Sequence, residues 1–138
     1  MTDDELSRRL YRARGVAETM VSDKDTALSM GSGDLPLLGT PRVVAWIEAA
    51  ALSAIAGRLD DHLTTVGGQI DIHHSAPTRV GAEVRTEASV AEVNGRRIVF
   101  DVSVMSGGRE IARGRHVRAI VDRAGFLARA NPPATAPQ

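Results

Sequence analysis

Three side chains in the middle of the chain have types and positions suited to nucleophilic and acid–base chemistry. The segment PRVVAWIEAAALSAIAGRL, residues 41–59, carries one carboxylate, Glu48, among alanine, valine, isoleucine, leucine and tryptophan. A carboxylate in so apolar a stretch needs a partner or a proton. It is either a buried glutamate paired with an arginine across an interface, or a reacting group serving as base or nucleophile. Thr40 stands eight residues earlier. On a helix that is slightly more than two turns, so the two share a face about 12 Å apart along the axis. Thr40-Pro41 is also a helix-start signal, with Thr40 as N-cap and Pro41 as the first helical residue. A hydroxyl there lies beside helix N-terminal N–H groups, which favour developing negative charge. The third group is a histidine. His73 and His74 are adjacent and point to opposite faces of a strand. Counting from Ile70 and Ile72, His74 continues the apolar side, whereas His73 goes with Asp71. An imidazole meeting a hydroxyl and a carboxylate can act as general base or orient the nucleophile. Read singly, the three are a cap, an ion-paired glutamate and a core histidine.

The elements that must position them follow from periodicity. Residues 41–58 read as the one long helix. They are apolar almost all round, which predicts burial on every face. From Val66 the period changes from helical to two, and four antiparallel strands follow. The first ends at His74, and Pro77 stops it. Residues 82–93 alternate, with Val84, Thr86, Ala88 and Val90 on one face. Asn94-Gly95 is a strong hairpin signal. Residues 97–105 alternate with Ile98, Phe100, Val102 and Val104 inward, Gly107-Gly108 turns the chain again, and residues 110–122 form the last strand, with Ile111, Val117, Ile120 and Val121 as its apolar positions. Before the helix the signals are weaker. Residues 1–14 suit a short helix or an ordered arm, with acids preceding bases. Residues 15–21 read as a strand, and residues 31–39 as a loop whose apolar residues lie against something. After Phe126 the tail NPPATAPQ has a disordered composition, so residues 1–128 read as a single domain and 129–138 as a tail. An amphipathic sheet must cover its apolar face, and one helix is available. That helix is more apolar than one sheet can cover, which predicts a homodimer.

Composition narrows the function classes. The chain has 138 residues, enough for one proper core. Its 17 basic and 17 acidic residues balance, giving no field that argues for nucleic acid or an anionic membrane. There is no cysteine, which excludes disulfides, thiolate metal sites and a thiol nucleophile. His62, His73, His74 and His116 show no metal-ligand spacing, and no cofactor motif is present. No apolar leader opens the sequence and the helix is too short to span a bilayer, so a cytoplasmic protein is the expectation.

One apolar helix wrapped by a long antiparallel sheet describes the α+β hotdog fold. The pattern Gly39-Thr40, Glu48, His74 and then Ser-Ala-Pro-Thr-Arg-Val-Gly81, closed by Gly114-Arg-His-Val-Arg118-Ala-Ile-Val121, resembles the fluoroacetyl-CoA thioesterase family over about residues 35 to 128. The resemblance implies an acyl-CoA thioesterase whose catalytic residues are Thr40, Glu48 and His74. Arg118 falls at the position of an arginine in that family's last strand, and is otherwise a surface charge. Gly67 and Gly68 allow close backbone approach to an acyl group, or mark a bulge. Arg96, Arg97, Arg109, Arg113 and Arg115 are candidates for coenzyme A phosphates or solvated strand residues. Coenzyme A would be part of the substrate, and no separate cofactor is implied. The loop 31–38 lacks the phenylalanines with which the fluoroacetyl-CoA enzyme recognises its acyl group, so the expected substrate is a small or medium acyl-CoA without fluoro-selectivity. A non-catalytic acyl-CoA-binding protein of the same fold is the alternative, and the Thr40 spacing argues against a hotdog dehydratase.

Overall fold

In the computed structural model, which describes residues 1–133, the helix and the sheet cross as the periodicities require. The elements are α1 (Asp3–Leu10), β1 (Arg14–Met20), a 3-10 turn (Asp23–Asp25), α2 (Ala27–Met30), α3 (Thr40–Ile55), β2 (Leu63–His74), β3 (Glu83–Asn94), β4 (Arg97–Ser106), β5 (Arg109–Asp122) and α4 (Arg123–Ala128). The five strands form one antiparallel sheet in the order β1-β3-β4-β5-β2. This is the hotdog arrangement, with α3 against the apolar face and β1 and β2 as the two edges.

The core is built where the alternation put it. Val84, Thr86 and Ala88 of β3 and Ile98, Phe100, Val102 and Val104 of β4 are buried, against Val43, Ile47, Ala50, Ala51, Ala54 and Ile55 of α3. The helix meets β1 so closely that a Cβ on Gly15 would lie 2.2 Å from the Ala50 carbonyl oxygen. Only glycine lets the strand pass there. Residues 3–10 form the helix alternative, opened by a Thr2–Glu5 capping box, and its Leu6 and Leu10 reach the core.

Four features differ from the sequence reading. The helix stops at Ile55, three residues short of Arg58, and Gly57 takes φ 72° just beyond it. The strand read as starting at Val66 starts at Leu63, because Thr65 is buried on it and Thr64 pairs with Val121. The buried positions in the second half of β5 are His116, Arg118 and Ile120, while Val117 and Val121 are only partly buried. The helix is not covered on every face within one chain: Ala45, Ala49, Leu52 and Ala56 are exposed, a stripe at helical spacing. At the C-terminus Arg123–Ala128 is helical, with Asp122 capping through a 2.9 Å bond to Gly125 N–H. Of the segment read as a tail, residues 134–138 lie outside the described residues. No helix among the described residues is long and apolar enough to cross a membrane.

Candidate active site

Thr40 is placed by a clamped loop. The N–H of Ala27 donates to the Leu37 carbonyl (2.8 Å), Leu38 N–H to the Thr78 carbonyl (2.9 Å) and Gly39 N–H to the Asp25 carbonyl (3.0 Å). Asp25 is itself buried; its carboxylate accepts from Ser22 and lies 2.9 Å from Arg42 Nε on the first turn of α3. The loop is thus tied at once to the helix start and to the segment after β2. Gly39, not Thr40, is the N-cap, and no side chain caps this helix. Thr40 has moved one position into the helix, and its hydroxyl is free for another use. It lies 2.8 Å from Nδ1 of His74.

His74 stands at the last residue of β2 and is half-buried, while His73 is exposed on the opposite face. Burial lowers the His74 pKa, partly offset by the Ala76 backbone. A lowered pKa keeps the imidazole neutral near pH 7, the form that can take a proton. Nε2 is buried and makes no aligned hydrogen bond. A hydroxyl against a neutral imidazole is a nucleophile–base pair, or a pair that positions a water.

Glu48 belongs to a second cluster. Its Oε2 accepts from Arg118 Nη1 at 3.0 Å, and its side chain remains 40% exposed. Arg118 is buried on β5, where Nε donates to Thr65 Oγ1 (2.8 Å) and Nη2 to the Thr65 carbonyl (3.1 Å). The bland reading of Glu48 as an ion-paired glutamate is therefore correct as far as it goes, but the arginine comes from the same chain. The surface-charge alternative for Arg118 does not hold. The pair is possible because residue 67 is glycine: a Cβ there would lie 2.4 Å from Glu48 Oε2. Gly67 thus makes room for the carboxylate. Gly68 does something different. It falls at the register shift between Gly67 and Gln69, and a Cβ on it would meet nothing closer than 3.8 Å.

Thr40 and His74 are together within one chain, then, and Glu48, Arg118 and Gly67 are together, but the two groups are separate. Glu48 is about 12 Å along the helix from Thr40, and Gly67 about 23 Å along β2 from His74. His116 and Thr65 are participants that the sequence reading did not place in the site. Their signal was available: the β5 alternation Ala112, Gly114, His116, Arg118, Ile120 puts two polar residues on the core face. Of the five other candidate arginines, three make contacts within the chain: Arg113 bonds Glu110, Arg115 pairs with Asp101, and Arg96 reaches the Met1 carbonyl.

Comparisons with known proteins identify the family. The family model described as fluoroacetyl-CoA-specific thioesterase matches residues 21–124. The chain belongs to the fluoroacetyl-CoA-specific thioesterase family. Within that family it is 32% identical over 93 residues to the fluoroacetyl-CoA thioesterase of Streptantibioticus cattleyicolor, a match covering 67% of each chain. The solved structure of fluoroacetyl-CoA thioesterase FlK superposes with a TM-score of 0.82 at 26% identity, covering 90% of this chain and 96% of that one. A thioesterase superfamily member from Thermus thermophilus superposes with a TM-score of 0.80 at 25% identity, covering 86% and 88%. The family's fold is the hotdog found here. The matched segment spans both clusters.

A cavity of about 390 Å³ opens beside His74. Leu35, Leu37, Leu38, Ala76 and Pro77 line it, with no aromatic residue among them. A larger cavity of about 650 Å³, around Met20, Arg85 and Met105, holds none of these site residues. The smaller one adjoins the chemistry and is the relevant one.

Proposed function

We propose that this protein hydrolyses a small or medium aliphatic acyl-CoA thioester. Water's oxygen ends on the acyl carbon, the carbon–sulfur bond breaks, and coenzyme A leaves as the thiol with a proton. Glu48 and Thr40 face the reacting carbonyl, and His74, hydrogen-bonded to Thr40, is the base. Family membership supports the reaction class, since the relatives are named fluoroacetyl-CoA thioesterases and one related structure holds fluoroacetate and CoA. The single observation that carries the reading for this chain is the 2.8 Å contact between Thr40 Oγ1 and His74 Nδ1. A capping threonine would have spent that hydroxyl on the helix.

The active assembly is a homodimer with two sites. The exposed stripe Ala45, Ala49, Leu52 and Ala56 and the unpaired edge of β2 are the surfaces a second copy would cover. The Thr40–His74 pair of one protomer then meets Glu48 and Arg118 of its partner. Coenzyme A is part of the substrate and no further cofactor takes part. The aliphatic cavity lining supports an acyl group selected by size rather than by fluorine. A cytoplasmic location suits a coenzyme A ester as substrate.

The test is release of free thiol from a panel of acetyl-, fluoroacetyl-, butyryl-, hexanoyl- and benzoyl-CoA, for wild type and His74→Ala. The expected result is turnover of the short aliphatic esters without preference for fluoroacetyl-CoA, lost in the variant. Binding of acyl-CoA with no thiol release from any ester would replace the enzyme with the non-catalytic binding protein.

A further inference from the structure

His116 is one of the most deeply buried polar side chains, 1% exposed, and neither half of the proposed reaction uses it. Its surroundings fix its protonation. Nδ1 lies 2.8 Å from the Gln69 carbonyl oxygen. A carbonyl only accepts, so Nδ1 carries the hydrogen. Nε2 lies 3.0 Å from Arg118 Nη1. A guanidinium only donates, so Nε2 must be bare. The imidazole is therefore neutral and in one tautomer. The ring is held flat, with its centroid 6.1 Å from that of Phe100 and the planes 24° apart. Burial lowers its pKa, and the Arg118 charge lowers it further against the opposing effects of the Gln69 carbonyl and Glu48.

The consequence falls on Arg118. Its Nη1 has two hydrogens, one taken by His116 Nε2 and one by Glu48 Oε2. With Nε and Nη2 bound to Thr65, the guanidinium plane is set on three sides before it touches the carboxylate. We propose that His116 is a positioning residue that, through its bare Nε2, fixes the Arg118 guanidinium and so aims the Glu48 carboxylate at the thioester. This rests on the thioesterase reading above. It makes His116 act through Arg118 and Glu48, with no contact to substrate. Because Arg118 grips Oε2, the other carboxylate oxygen is left for the reaction. Without His116, Nη1 has a spare N–H in a buried place, and the guanidinium keeps only its two Thr65 bonds to set the edge that meets Glu48.

Wild-type turnover tests the thioesterase reading; the ratios between variants test His116. His116→Phe keeps the ring and its stacking but removes both hydrogen bonds. It is expected to lower kcat by roughly 10- to 100-fold, the range for groups that orient a reacting side chain, with KM little changed. His116→Gln restores an acceptor toward Arg118 and is expected to recover most of that loss. In a Glu48→Gln background His116→Phe should cost nothing further, since residues acting as a unit are not additive. Equal losses in the two backgrounds, or a wild-type kcat in His116→Phe, would overturn the proposal. Nitrogen-15 NMR of the wild-type protein gives a reading that needs no variant to fold. Protonated Nδ1 with bare Nε2 at neutral pH is expected, and an Nε2–H tautomer or an imidazolium would also overturn it.

Discussion

At the scale of single residues, the hydroxyl of Thr40 separates a structural use from a chemical one. Were Thr40 the N-cap, replacing it with alanine would cost about 1 kcal/mol of stability. Gly39 holds that position instead. Thr40→Ala is therefore expected to change unfolding free energy by less than about 0.5 kcal/mol while lowering kcat by about 100-fold or more. Denaturant melts and thiol release on the same preparation check both. A large loss of stability with kcat intact would return Thr40 to the helix. The histidines make a pH prediction. Burial lowers the pKa of both His74 and His116 from 6.5. A group held neutral in the folded state binds fewer protons than in the unfolded chain below the ordinary value. Its stability contribution is thus present above 6.5 and is lost as pH falls toward the folded-state pKa. The melting temperature is expected to fall between about pH 7.5 and pH 5.5, and kcat to decline on an acid limb lying below the ordinary histidine value. A melting temperature that rises on acidification contradicts this.

At the scale of elements, the site depends on how tightly β2 passes α3. Gly67→Ala puts a methyl group 2.4 Å from Glu48 Oε2, so the carboxylate must shift from its place against Arg118. The expected outcome is a loss of about 100-fold in kcat with the fold retained, whereas Gly68→Ala, whose methyl group would make only an ordinary contact with the Val117 carbonyl, keeps activity within about threefold. Steady-state rates of the two variants side by side check the contrast, and equal effects would remove Gly67 from the site. How much of this could be read from sequence depends on the element. The inward face of β4 and the choice of His74 over His73 follow from strict period two; the hairpin follows from the Asn94-Gly95 turn signal, although Asn94 pairs with Arg97 and the two turn residues are Gly95 and Arg96. The inward face of the second half of β5 did not, because counting only apolar residues as core assigns Val117 and Val121 and passes over His116 and Arg118. A buried polar row is invisible to a hydrophobic count until its partners are known. The cap at Thr40 was misplaced by one residue for a related reason. Threonine before proline fits the N-cap rule locally, and only the long-range contact to His74 reveals the other use.

At the scale of the whole molecule, the protomer carries two separate polar clusters and a bare apolar stripe. The helix looked buried on every face from its composition, and the chain alone leaves Ala45, Ala49, Leu52 and Ala56 uncovered. In the proposed dimer that stripe is the surface a second copy would cover. A charge in that stripe tests the point: Leu52→Glu, at a residue 47% exposed, is expected to leave the protomer folded, yield a monomer by light scattering, and abolish thiol release. The most direct measurement of the central claim, that the Thr40–His74 pair and the Glu48–Arg118 pair are brought together from two copies, is complementation. His74→Ala and Glu48→Gln proteins, each reduced to a small residual rate alone, are mixed under conditions that exchange subunits. If the site is shared between protomers, each mixed dimer holds one intact site, and activity should return to about a quarter of wild type for equal amounts. If the mixture stays as inactive as its parts, the two clusters do not form one site across the dimer and the account is wrong.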